Sequence, residues 1–145
     1  MSTTNLRVNI GPPRLKVAVH VLIRLAKSEC LMTSSSIASL IKAHSVVVRR
    51  VMQALTSAGI VESKLGRDGG YFLRKPADEI TLGEVYSAIN NFFVEQEVEL
   101  ALGKMDENLF SELEKILCEV EKETINILRQ YTITQVMNRT ELILA

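Results

Sequence analysis

A mainly α-helical fold with one small β-hairpin is predicted for this chain, and three observations carry the prediction. Between Thr33 and Gly59 lie two short stretches whose apolar residues recur at helical spacing. Two runs of alternating apolar and polar residues follow, separated by the glycine loop Gly66-Arg67-Asp68-Gly69-Gly70. Beyond Asp106 an apolar stripe continues for about six helical turns. Two helices and a hairpin outline a winged helix-turn-helix, and the stripe adds a long dimerisation helix.

Each element has its own local cause. Pro12 and Pro13 suit the first turn of a helix in which Leu15, Ala18, Val19, Leu22, Leu25 and Ala26 form a buried face. Thr33 and the serines after it offer N-caps for a short helix carrying Ile37, Ala38, Leu40 and Ile41, which breaks near Ala43 and His44. Ser45 can cap the next helix. Its inner stripe is Val48, Val51, Met52, Leu55 and Ala58, and Gly59 supplies the left-handed residue that ends it. The opposite face holds Val46, Arg49, Arg50, Gln53 and Ser57.

Ile60 to Leu65 and Tyr71 to Lys75 read as the two strands, with Pro76 stopping the second. Thr81-Leu82-Gly83-Glu84 matches a capping box and opens a helix bearing Leu82, Val85, Tyr86 and Ile89, expected to pack on the first helix. Phe92 to Met105 shows no clear period and reads as a linker or a ligand-lining loop. Asp106 is placed to cap the long helix, whose stripe is Leu109, Leu113, Ile116, Leu117, Val120, Thr124, Ile127, Leu128 and Tyr131. The spacing of Leu109, Leu113, Ile116 and Val120, continued by Ile127, suits packing against the same helix of a second chain. The tail from Thr132 to Leu144 reads as a short helix able to lie across such a dimer. The expected divisions are a winged helix-turn-helix over residues 1–90, a linker or effector loop over 91–105, and the dimerisation helix with its tail over 106–145.

The formal charge of zero hides a division at Lys75. Residues 1–75 carry twelve Lys/Arg against three acids, a balance of +9, and residues 76–145 carry −9. A basic head beside an acidic body is the asymmetry of a module that meets phosphate on one side only. No stretch reaches the roughly 18 apolar residues of a membrane span, and Met-Ser-Thr-Thr-Asn-Leu-Arg lacks a signal-peptide core, so no membrane partner and a cytoplasmic location are expected.

Within the basic half, the residue types fit double-stranded DNA. The major groove admits an α-helix, and base edges are reached mainly from the N-terminal half of a recognition helix, where Ser45, Val46, Arg49 and Arg50 fall. Arg holds guanine through paired hydrogen bonds to O6 and N7, and Gln53, one turn on, is a candidate reader of adenine. Arg67, flanked by glycines, is placed for the minor groove.

The chain resembles the bacterial Rrf-type winged-helix regulators, which include the IscR, NsrR and CymR branches. The resemblance rests on Ala18-Val19-His20-Val21-Leu22, Val46-Val47-Val48-Arg49-Arg50-Val51, Ala58-Gly59-Ile60-Val61, the run Gly66 to Leu73 and the run Ile80 to Tyr86. It covers residues 14–90 closely and the long helix loosely. It implies a homodimeric transcription regulator, usually a repressor, that binds a two-fold operator through paired winged helices. The family's iron-sulfur members place three close cysteines before the dimer helix, whereas Phe92 to Met105 has none, so no cluster is carried over to this chain.

Other readings carry less. Cys118, beside Leu117, is expected in the core, and Cys30, in a loop near Lys27, is a candidate redox thiol, although an inert cysteine is the commoner case. Nothing fixes His20, His44 and Cys30 as a metal site. Phe92, Phe93, Val94 and Val98 either line a small-molecule effector pocket or complete the core. An enzyme is disfavoured, since there is no phosphate-binding glycine loop with lysine and no nucleophile paired with a base. The competing reading is a winged-helix protein-interaction module with degenerate DNA binding.

Overall fold

A computed structural model describes residues 13–28, 30–101 and 107–144. The order of elements is α1 (Pro13–Lys27), α2 (Ser34–Ile41), α3 (Ser45–Ser57), β1 (Val61–Lys64), β2 (Gly70–Leu73), a 3-10 turn (Ala77–Glu79), α4 (Leu82–Ala101), α5 (Glu107–Leu128) and α6 (Ile133–Leu144). This is the winged helix-turn-helix predicted, with a long helix after it.

The core of the head lies where α1, α2, α3 and α4 converge. Ala18, Val21, Leu22 and Leu25 of α1 meet Ile37 of α2, Val48, Val51, Met52, Ala54 and Leu55 of α3, and Val85 and Ile89 of α4. Leu15 and Val19 sit only half-buried at its edge, and Val21 takes an inner place instead. The helix bearing Ile89 does pack on α1, as its periodicity predicts.

Local chemistry sets the helix ends. Thr33 caps α2, its hydroxyl accepting from the Ser36 N–H at 3.1 Å. Lys42 then takes the left-handed conformation at φ 56°, ending the helix one residue before the predicted break. The N-cap of α3 is His44, and Ser45 is its first helical residue rather than its cap. At the other end Ala58 is an exposed C-cap, not part of the inner stripe, and Ala54 is buried in its place. Gly59, at φ 76°, completes a Schellman motif: its N–H donates to the Thr56 carbonyl at 3.0 Å and that of Ile60 to the Leu55 carbonyl at 3.0 Å. Of the apolar residues that the sequence places on α2, Leu40 is 47% exposed, because the short helix turns only Ile37 and Ala38 fully inward.

The wing is tighter than its sequence suggests. Its strands pair antiparallel with Val61 opposite Leu73 and Lys64 opposite Gly70, so the loop runs from Leu65 to Gly69, one residue earlier than the predicted Gly66 to Gly70, because Gly70 is already paired in β2. A single bridge between Met32 and Tyr71 adds a third edge to the hairpin, with main-chain bonds of 3.2 and 2.8 Å. Gly70 permits this approach, since a Cβ there would lie 2.8 Å from the Met32 carbonyl oxygen.

Phe92 to Ala101 is not a linker, because α4 runs on through it; residues 102–106, including the predicted cap Asp106, lie outside the described residues, as does Pro12. The α4 and α5 helices form an antiparallel hairpin: Asn90 donates to Glu121 at 3.3 Å, and Gly83 faces Ile125 and Arg129 at the base. The long helix stops at Leu128, so Tyr131 belongs to the turn after it. The tail helix α6 packs on α1 and the 3-10 turn of its own chain, with Ile133 fully buried.

Candidate nucleic-acid interface

The inward side of α3 is spent on the core, so its other side is open. Ser45, Val46, Arg49, Arg50, Gln53 and Ser57 are all exposed, and the i, i+3, i+4 spacing of Val46, Arg49, Arg50 and Gln53 makes one face of them. The helix is held from behind by α1, α2 and α4, which fixes the direction in which that face looks. Arg67 stands exposed in the wing loop. The loop needs its glycines: the Gly69 N–H closes a turn onto the Gly66 carbonyl at 3.1 Å, and a Cβ on Gly69 would sit 2.2 Å from the Lys64 carbonyl oxygen.

Charge counting from sequence overstates the free cations of the wing. Arg74 pairs with Glu62 across the hairpin at 3.6 Å. Lys75 pairs with Glu84, whose side chain therefore does not close the reciprocal half of the predicted capping box; only the Glu84 N–H to Thr81 hydroxyl bond, at 3.1 Å, is made. Sequence reading also left two basic residues unplaced. Lys42, in the turn before α3, and Lys64, at the base of the wing loop, are both exposed beside the same surface. Their charge was legible, but their position depended on the turn and the strand register.

The remaining predicted sites do not gather into a second centre. Cys118 is exposed on α5 rather than buried, because it lies on a side of the helix turned to solvent. Cys30 is exposed in the turn after α1, where its N–H donates to the Ser28 hydroxyl at 3.2 Å. His20 lies on α1 and His44 caps α3. Phe92 lines a shallow recess of about 240 Å³ with Ala54, Ser57, Ala88 and Asn91, whereas the side chains of Phe93, Val94 and Val98 lie outside the described residues. Among the described residues no helix is long and apolar enough to cross a membrane.

An exposed basic helix face with a glycine-tipped wing beside it defines a winged helix-turn-helix transcription regulator of the DNA-binding class. Residues 13–139 match the Rrf2 family, described as iron-dependent transcriptional regulators, and the chain belongs to that family. It is 29% identical over 128 residues to YwgB of Bacillus subtilis, a candidate HTH-type transcriptional regulator, covering 86% of this chain and 82% of that one. Two solved structures share the fold: IscR of T. potens, with a TM-score of 0.64 at 20% identity over 96% of this chain and 91% of that one; and CymR, the global cysteine regulator of B. subtilis, with a TM-score of 0.62 at 20% identity over 92% and 98%.

The family description implies iron, and the donor set of this chain does not fit an iron-sulfur cluster. Its two cysteines stand on separate elements, and among the described residues no three His, Cys, Asp or Glu side chains converge.

Proposed function

We propose that the chain is a homodimeric repressor acting on a two-fold operator. The observation that carries this reading is the outward face of α3, where Arg49, Arg50 and Gln53 stand exposed over a helix fixed from behind. In this reading the N-terminal half of α3 enters the major groove, with Ser45 and Val46 at its tip, and Arg67 of the wing reaches the neighbouring minor groove. The dimer is supported by α5, on which Leu109, Leu113, Ile116, Val120 and Ile127 are 43–63% exposed along one face. An apolar face of that length calls for a second protein surface. Two heads held by paired α5 helices present their recognition helices to successive major grooves, about 34 Å apart. A small-molecule or redox signal then acts by changing that separation, and a cytoplasmic location goes with the role.

Fragments selected from a genomic DNA pool by the full chain should share a two-fold motif. Binding to them should fall steeply with salt and be lost when Arg49, Arg50 and Arg67 are all changed to Ala. Unchanged binding by that triple variant would sink the reading in favour of a winged-helix protein-interaction module, for which the exposed Val46 and Leu65 would be the contacts.

A further inference from the structure

Where the C-terminal end of α3 meets the base of the α4 and α5 hairpin, the surface opens into a two-part cleft that the proposed contacts with DNA leave unused. Its larger part, about 520 Å³, is lined by Glu84, Ser87 and Asn91 of α4 and by Arg129, the residue after α5. The smaller part is the recess of about 240 Å³ at Phe92, which reaches Ala54 and Ser57 of α3. Both parts share Ala58, Ala88 and Asn91, so they adjoin.

Arg129 sets the chemistry of the larger part. Its aliphatic stem lies against Gly83, where a Cβ would stand 2.6 Å from Arg129 Cγ, so the glycine leaves the stem its place. Among the described residues the Arg129 guanidinium has no ion pair or hydrogen bond, and the side chains of Ser87 and Asn91 have no hydrogen-bond partner either. Their donors border one space unspent. Glu84, the one acid in the lining, is already held by Lys75 and so does not compete for Arg129. A guanidinium fork pairs best with a planar carboxylate through two parallel N–H···O bonds, whereas Ala54, Ala88 and Phe92 offer the adjoining end apolar contact.

We infer that this cleft binds a small monocarboxylate with a short apolar tail. The carboxylate sits on Arg129, with Ser87 and Asn91 donating beside it, and the tail lies toward Ala54, Ala88 and Phe92. The inference rests on the reading of the chain as a DNA-binding regulator and deepens it by naming the class of its signal. A ligand seated here touches the end of α3 and the base of the hairpin at once, so it favours one spacing of the two, and operator affinity responds to it.

The test uses the full chain with phenylacetate as the probe, and phenylacetamide, acetate and inorganic phosphate beside it. Calorimetric titration should show saturable phenylacetate binding with a Kd of about 1 mM or tighter. Phenylacetamide lacks the charge and acetate lacks the tail, so each should bind at least about tenfold more weakly. Arg129→Gln keeps the stem on Gly83 but removes the fork, and Ala58→Phe fills the junction of the two parts. Each should weaken phenylacetate binding at least about tenfold, with unfolding midpoints near wild type showing that both are folded. Saturating phenylacetate should change operator affinity of the wild type by at least about fivefold and leave that of Arg129→Gln unaltered. No binding of phenylacetate, equal binding by Arg129→Gln, tighter binding of phosphate, or an operator affinity indifferent to bound phenylacetate would overturn the inference. So would weaker operator binding by Arg129→Gln without any ligand, which would assign Arg129 to the DNA backbone. Phenylacetate binding is measured without DNA, and DNA binding through Arg49, Arg50 and Arg67 without phenylacetate, so either reading can fail without the other.

Discussion

Thr81 and Thr132 form an antiparallel bridge that joins the start of α4 to the start of α6. The Leu82 N–H donates to the Tyr131 carbonyl at 2.8 Å, and the Ile133 N–H to the Ile80 carbonyl at 2.9 Å. Each threonine is also an N-cap. Thr81 accepts from the Glu84 N–H, and Thr132 accepts from the Gln135 N–H at 3.2 Å while its own N–H donates to the Gln135 side chain at 2.8 Å. The tail is thereby locked to the head, with Ile80 and Ile133 fully buried at the junction. Thr132→Ala should cost about 1 kcal/mol in urea unfolding, the usual worth of a lost cap. Limited proteolysis should show the tail released more readily.

Gly83 should tolerate no side chain. A Cβ there would lie 2.8 Å from the Ile125 carbonyl oxygen and 2.6 Å from Arg129 Cγ, so α5 would have to move off α4. Gly83→Ala is expected to lower stability by about 1–3 kcal/mol, the ordinary cost of overpacking. Denaturant midpoints measured against wild type check this.

The two faces of α3 should separate stability from binding. Met52 is fully buried, so Met52→Ala should cost about 2–5 kcal/mol of folding free energy. Arg49→Ala and Arg50→Ala should leave the melting curve close to wild type and weaken operator binding. If either reads a guanine, its loss costs about 1–3 kcal/mol and relaxes specificity at one base pair; if it holds phosphate, the salt slope falls by about one. Titrations at several salt concentrations distinguish the two.

His20 should make stability depend on pH near neutrality. Its burial against the α1 and α6 groove, and then the charge of Arg24, hold its pKa below the ordinary 6.5. The unfolded chain therefore takes up this proton more readily than the folded one. The contribution is fully present above the unfolded value and is lost as pH falls from about 7 through the lowered folded value. His20→Gln should flatten that part of the stability profile, and unchanged unfolding midpoints between pH 7 and 5.5 in both proteins would contradict it.

Most of the exposed basic face proposed to meet DNA was legible in sequence for a local reason. The inner positions Val48, Val51, Met52 and Leu55 fix which side of α3 faces the core, so Arg49, Arg50 and Gln53 must face out. Glycine spacing marked the wing loop, and the long stripe marked α5 as a helix with an uncovered face. Reading failed where a tertiary partner decided. The stretch after Phe92 lacks its own period, yet its backbone continues α4. Cys118 follows Leu117 in a helical pattern, but both stand on the solvent side of α5 and are exposed.

By itself, then, the sequence determined the helix-turn-helix, the wing and the outward arginines, because periodicity, caps and glycine turns act among near neighbours along the chain. Tertiary structure alone decided the Met32–Tyr71 edge of the wing, the pairing of Lys75 with Glu84, the Thr81–Thr132 lock and the groove between α1 and α6. Most of these join segments distant in sequence, and even Lys75 and Glu84, nine residues apart, stand on separate elements that meet only when the chain folds around one core.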